Sequence, residues 1–226
     1  MVNKSKLYAV LTGDIIKSSR LTLDELEMAR KSLFNATEVA RGWENDVIEG
    51  DLELFRGDAW QILVKKPSFA LRLAIFLRAT LIARENIDSR ISIGLGRVEN
   101  ISEKISHSTG EAFILSGHAL DDMTQRYSMT IHTPKVANPM SKWLPVIGHL
   151  CDTIMSHWTQ RQAEIVCATL EDYNDLTHED ISKKLVPSVS KQSVTKALTG
   201  ADWHVIRETI LRFENTDWKT VLKNRQ

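Results

Sequence analysis

Hydrophobic and polar residues follow two periods along this chain, and each change of period marks an element. Leu7–Thr12 is a short apolar run closed by Gly13-Asp14, which predicts a buried strand. Thr22, with Glu25 three residues on, reads as a capping box. Leu26, Ala29, Leu33, Ala36 and Ala40 then recur at helical spacing up to Gly42. Period two returns at Leu52 and Leu54 and again at Trp60, Ile62 and Val64, with Arg56-Gly57-Asp58 between them as a hairpin turn. Pro67 opens a helix to about Arg84 with Leu71, Ala74, Ile75 and Leu81 as its buried stripe. Ile91, Ile93 and Leu95 alternate in a further strand, Gly110 to Met123 reads as helix, and Ser128 to His132 as a weak strand.

The order β-α-β-β-α-β-α-β, with a hairpin in the middle, predicts an α+β fold. It is a split βαβ (ferredoxin-like) antiparallel sheet with helices over one face, occupying residues 1–132. Pro134, Pro139 and Pro145 mark a change of regime. Residues 133–157 read as a linker and connecting helix, and 158–226 as an all-α domain. The expected helices are about Ser141–Ser156, Arg161–Leu170, His178–Leu185, Lys191–Thr199 and Asp202–Phe213.

Composition narrows the function classes. With 42% hydrophobic and 26% charged residues over 226 positions, disorder and fibrous repeats are excluded. Lys+Arg and Asp+Glu both number 29, so no long-range pull draws the chain to nucleic acid or an acidic membrane; any such contact needs a local patch. Cys151 and Cys167, sixteen positions apart, fit no zinc pattern and make a poor disulfide framework, so reduced, buried thiols in a cytoplasmic protein are expected. The apolar run at the N-terminus is broken by Asp14, and no stretch reaches the ~18 apolar residues of a membrane span, so no membrane partner is expected.

The chemistry centres on two acids. Asp14 ends the first strand and Asp58 sits at the hairpin tip, and a split βαβ sheet brings them to one edge across 43 intervening residues. Two converging carboxylates repel unless a cation lies between them, and hard oxygens suit Mg²⁺ or Mn²⁺. Gly13 and Gly57 precede the two acids and would let backbone approach a ligand. Lys17, Ser18, Ser19 and Arg20 add hydroxyls and cations suited to a polyphosphate. The competing reading makes both acids ordinary turn residues.

The motifs TGDII, FRGDAW, RISIGLG and GEAF, in that order and at similar separations, resemble the palm-like catalytic domain of class III nucleotide cyclases and diguanylate cyclases, over roughly residues 5–132. Their wording also resembles the SatD family of bacterial proteins. The resemblance implies that Asp14 and Asp58 bind metal, that Ile15 and Ile16 contact a nucleoside triphosphate through their backbone, and that a two-metal site would activate a 3′-hydroxyl. Two departures argue against turnover. Ala59 follows the hairpin acid where diguanylate cyclases carry another acid, and Ile114 and His118 fall where class III cyclases place Asn and Arg. Ile donates no hydrogen bond and His is a part-time cation. Nucleotide binding is therefore the leading expectation, and an active nucleotidyl cyclase or nucleotidyltransferase the alternative.

Arg56 is either a phosphate or base contact or a solvated turn residue, and His118 with Asp122 either a metal or proton-relay pair or a hydrated helix face. Walker, Rossmann and nucleophile-elbow motifs are absent from the sequence.

Near the C-terminus, Thr177 caps a short helix, Val186-Pro187-Ser188-Val189 turns, and Ser190 caps the next. With Trp158-Thr159-Gln160-Arg161-Gln162 opening a preceding helix, this resembles the helix-turn-helix of sigma-factor region four. The resemblance makes Lys191–Thr199 a recognition helix, with Lys191, Gln192, Ser193, Thr195 and Lys196 exposed to bases and phosphates of DNA. Residues 151–226 carry ten Lys+Arg against eleven Asp+Glu, so a single copy has no basic surplus, and a homodimer would double the contact. The combined expectation is a cytoplasmic regulator that couples a nucleotide and divalent-metal site to DNA.

Overall fold

The computed structural model describes residues 6–44, 46–55, 57–135, 139–174 and 176–223. Strand β1 (Lys6–Ile15) passes through a 3₁₀ turn (Ser18–Arg20) into helix α1 (Leu23–Arg41). The Thr22–Glu25 capping box forms as expected: Glu25 N–H donates to the Thr22 hydroxyl at 3.2 Å and Thr22 N–H to the Glu25 carboxylate at 2.7 Å. The hairpin follows as β2 (Ile48–Phe55) and β3 (Ala59–Val64), then α2 (Ala70–Glu85) and β4 (Ser89–Asn100). Short β5 (Thr109–Gly110), helix α3 (Glu111–Asp121) and β6 (Met129–His132) complete the sheet.

The sheet order is β2-β3-β1-β4-β5 with antiparallel neighbours, which is the split βαβ arrangement. β6 lies parallel to β4, so the sheet is mixed where an all-antiparallel one was expected.

Helices cover both faces, which corrects the one-face expectation. Ala9, Leu11, Ile15, Ile62, Ile91 and Ile93 point to the side of α1 and α2. Tyr8, Val10, Leu63 and Val98 point the other way, where Ala112 of α3 joins them. The reason is legible at Gly94: a Cβ there would lie 2.3 Å from the Ala112 carbonyl oxygen and 2.7 Å from the Ser116 nitrogen. Bare backbone lets α3 lie directly on β4. Gly94→Ala is expected to destabilise by about 1–3 kcal/mol in urea titrations through overpacking. Gly117→Ala on the same helix, where a Cβ meets nothing within 4 Å, should instead be neutral or stabilising by up to about 1 kcal/mol.

The C-terminal half is helical: α4 (Met140–Met155), α5 (Gln160–Leu170), α6 (His178–Lys184), α7 (Lys191–Gly200), α8 (Trp203–Glu214) and α9 (Trp218–Val221). Within 133–157, expected as a linker and connecting helix, α4 lies close to the expected Ser141–Ser156, and one hydrophobic cluster runs unbroken from Ala9 through Leu144 and Ile165 to Leu222. Helix α2 lies inside it: every residue from Ala70 to Ile82 is buried, where a single stripe was expected. An all-round buried helix needs neighbours on every side, and α5 supplies the side away from the sheet through contacts such as Thr80 Oγ1 with Cys167 Sγ at 3.3 Å. Arg72 pairs with Glu214 at 2.6 Å and stacks over Trp43 and Tyr173, tying α2 to α8. Burial pushes the Cys167 thiol up to about 11 and the Cys151 thiol up to about 12, so both are unreactive near neutrality. No helix among the described residues is long and apolar enough to cross a membrane.

Candidate functional site

Along β1, the face turned to α3 changes from apolar to polar: Tyr8 and Val10, then Thr12, then Asp14. Thr12 sits in a buried hydroxyl–amide chain, 2.9 Å from the Ser116 hydroxyl and accepting from Gln61 Nε2 at 2.9 Å. Asp14 stands at the open end of that row. Its backbone pairs with Ala59 on one side and Arg90 on the other. Arg90 Nε donates to Asp14 Oδ1 at 2.9 Å and its Nη2 bonds Oδ2, a two-pronged ion pair. Arg90 Nη1 also reaches the Met123 carbonyl at 3.3 Å.

Asp58 reaches the same edge by a separate route. Its carbonyl accepts Ile15 N–H at 3.2 Å, and its Oδ2 accepts the Ser18 hydroxyl. The hairpin tip is pinned from α1, because Arg30 donates to the Gly57 carbonyl. Gly57, at φ 91°, takes the left-handed turn that a side chain would oppose. Gly13 has a different cause from the one its position beside Asp14 suggests. A Cβ there would lie 2.4 Å from the Trp60 indole, so the glycine makes room for that ring, not for a ligand.

The result is a cleft of about 710 Å³ walled by Asp14, Asp58, Lys17, Ser18, Arg20 and Arg90, with Ser128 and Tyr127 on the far side. Both acids act on one guanidinium. The hydrogen bond that Arg90 donates to Asp14 raises the Arg90 pKa most, partly opposed by burial, with the charges of Asp14, Asp58 and Asp121 adding to the rise. Ile15 and Ile16 line the cleft, but their N–H groups are already taken, by the Asp58 carbonyl and by the Asp88 carbonyl at 2.9 Å. To donate to a phosphate they would have to leave these carbonyls. Lys17 takes the left-handed conformation (φ 58°, ψ 32°), costly for a non-glycine residue, and turns the chain so that Ser18–Arg20 face the cleft. Arg56 lies outside the described residues.

The loops forming the cleft hang from one buried cation. Arg78 of α2 donates to Asp88 (Nε at 2.8 Å) and to Asp152 of α4 (Nη1 at 2.7 Å). The Asp88 carbonyl holds Ile16, and the second Asp152 oxygen accepts Ser128 N–H at 2.8 Å. Both walls of the cleft thus rest on Arg78.

No family model and no curated protein matches the chain. Among solved structures, a bacterial light-regulated adenylyl cyclase is similar at a TM-score of 0.40 and 14% identity, over 56% of this chain and 43% of that one. The guanylyl cyclase Cya2 is similar at a TM-score of 0.36 and 16% identity, over 57% of this chain and 74% of that one. This chain therefore spans less than half the length of the first of them.

Ile114 and His118 do not line the cleft. They open onto a separate pocket of about 340 Å³ between α3, β6 and α4, with Asp122, Met123, Tyr127, His132 and His149. Among the described residues no group of three His, Cys, Asp or Glu is arranged to hold a metal ion, so His118 and Asp122 stay a pair. Burial, and then the neighbouring His149, lower the His132 pKa, with Asp122 acting in the opposite sense. Burial also lowers that of His149 against the charge of Asp152. A lowered folded pKa means that the unfolded chain binds more protons near pH 6. Their contribution is complete above the ordinary histidine value and is lost as pH falls through it toward the folded values. Urea midpoints should drop between pH 7.5 and 5.5, and His132→Asn should flatten that slope.

On the helical side, Lys191, Gln192, Ser193, Thr195 and Lys196 are all exposed along α7, while Val194 and Leu198 pack inward. Two of the five are committed locally. Thr195 Oγ1 donates to the Lys191 carbonyl and lies 2.8 Å from His178 Nδ1, and the Ser193 hydroxyl lies 2.9 Å from that of Ser190.

Proposed function

We propose that this protein binds a phosphorylated nucleotide in the sheet-edge cleft, as a sensor or carrier rather than as a cyclase. The observation that carries this reading is the convergence of Lys17, Arg20, Arg90 and the Ser18 and Ser19 hydroxyls on one cleft of ligand size. Arg90 can exchange the Asp14 carboxylate for a phosphate, since a guanidinium fits both bidentately. The two carboxylates are donors of the right type for a divalent ion, and Asp58 Oδ1 has no hydrogen bond among the described residues. Mg²⁺ or Mn²⁺ would be held by Asp58, by Asp14 once Arg90 has left it, and by the phosphates, whose charge it would offset. Ile114 and His118 line the adjoining pocket and not the cleft that would hold the phosphates, which supports binding without cyclisation in a single chain. Hydrogen exchange tests the site. Nucleoside triphosphate with Mg²⁺ should slow amide exchange in 14–20, 57–60 and 125–128; protection confined to the C-terminal helices would overturn it.

A second reading, DNA binding through α7, is favoured by the exposed row Lys191, Gln192 and Lys196 beside the capped α6–α7 turn. Phosphate contacts release counterions, at about 0.9 in log–log salt slope each. Lys191→Ala with Lys196→Ala should lower that slope by nearly 2 in fluorescence anisotropy on duplex DNA. No salt-dependent binding by the intact chain at 50 mM salt would remove the reading.

A further inference from the structure

We propose that the pocket between α3, β6 and α4 receives the planar base of the nucleotide whose phosphates occupy the cleft. The inference rests on the phosphate reading above and adds the part of the ligand that reading leaves unplaced.

Continuity comes first. Tyr127 lines both cavities, so the pocket adjoins the cleft across this ring, and a ligand anchored beside Arg90 and Ser128 has its other end directed toward the pocket. Shape comes second. Tyr127 and His149 stack face to face, with ring centroids 3.7 Å apart and planes 8° from parallel, a two-ring stack that a further planar ring can extend. Ile114, 58% exposed, and Met123 supply apolar surface in the same pocket. A stack of that kind can be extended by an aromatic base whatever its identity, because every base has a π-face. Chemistry comes third. His118 and Asp122, one helical turn apart, offer a donor and an acceptor to a heterocycle's edge. Burial lowers the His149 pKa from its ordinary value, against the charge of Asp152, which favours the uncharged ring in the stack.

The test compares ligands that share phosphates but not the base. The intact chain is titrated in a calorimeter, with Mg²⁺, against the four nucleoside triphosphates and against inorganic tripolyphosphate. At least one nucleotide should bind about 10-fold or more tighter than tripolyphosphate. His149→Ala and Ile114→Glu should erase that advantage and leave tripolyphosphate affinity unchanged, and His149→Phe, which keeps a flat ring, should restore it. Equal affinity for nucleotide and tripolyphosphate in the wild type overturns the base pocket alone, as does an undiminished advantage in His149→Ala. If tripolyphosphate itself fails to bind, the phosphate reading falls first and the base pocket with it.

Discussion

Replacing Arg78 by methionine is expected to cost about 3–5 kcal/mol of stability, enough to unfold much of a marginally stable population at 37 °C. The guanidinium is wholly buried between Asp88 and Asp152. Its pKa is pushed further upward, burial notwithstanding, by the charges and hydrogen bonds of those two acids. Removing the cation leaves carboxylates facing each other at the junction of α2, β4 and α4, and methionine satisfies neither. Lysine keeps the charge but cannot reach both acids with the planar fork, so Arg78→Lys should recover only part of the loss. Urea titration followed by far-UV circular dichroism measures both. A loss below about 1 kcal/mol for Arg78→Met would mean that the buried pair contributes little. Because Asp88 and Asp152 also hold Ile16 and Ser128, milder variants here should loosen the cleft before they unfold the chain.

Arg90→Glu is expected to lower nucleotide affinity by at least 100-fold. The substitution removes the cation best placed for phosphate and sets a third carboxylate directly across the strand pair from Asp14. Like charges opposite each other on one sheet face also destabilise, so affinity must be measured where the variant is folded. Arg90→Lys should lie between the two, because a point charge replaces a bidentate fork. Affinity unchanged in Arg90→Glu would place the ligand elsewhere.

The parts of the fold written locally were legible in the sequence. Thr22 with Glu25, Thr177 with Asp180 and Ser190 each cap the helix they were expected to cap, since a cap needs only residues three apart. The hairpin and the first strand of the Asp14–Asp58 edge were legible for the same reason: alternation and turn residues lie side by side. What depended on distant partners was not. Arg72 and Arg78 make α2 look like a half-exposed helix, and their partners Glu214 and Asp152 lie 142 and 74 residues away. With those acids in place the arginines can be buried, and α2 becomes a central helix. Gly94 announces the second helical face only when α3 is seen lying on it.

Arg90 stands between these cases. It opens the RISIGLG motif, yet its role follows only from strand register, which places it opposite Asp14. Antiparallel pairing of TGD with RIS would have found it from sequence. Ile15 and Ile16 show the reverse case: their position beside the acid does not reveal that their N–H groups bond the carbonyls of Asp58 and Asp88, which lie far along the chain.

The most direct test of the nucleotide reading is calorimetric titration of the intact chain with each of the four nucleoside triphosphates in Mg²⁺ at low salt. The geometry predicts saturable one-to-one binding for at least one of them, weakening as salt screens Lys17, Arg20 and Arg90. No heat from any of the four up to millimolar concentration, with the chain shown folded, would contradict it.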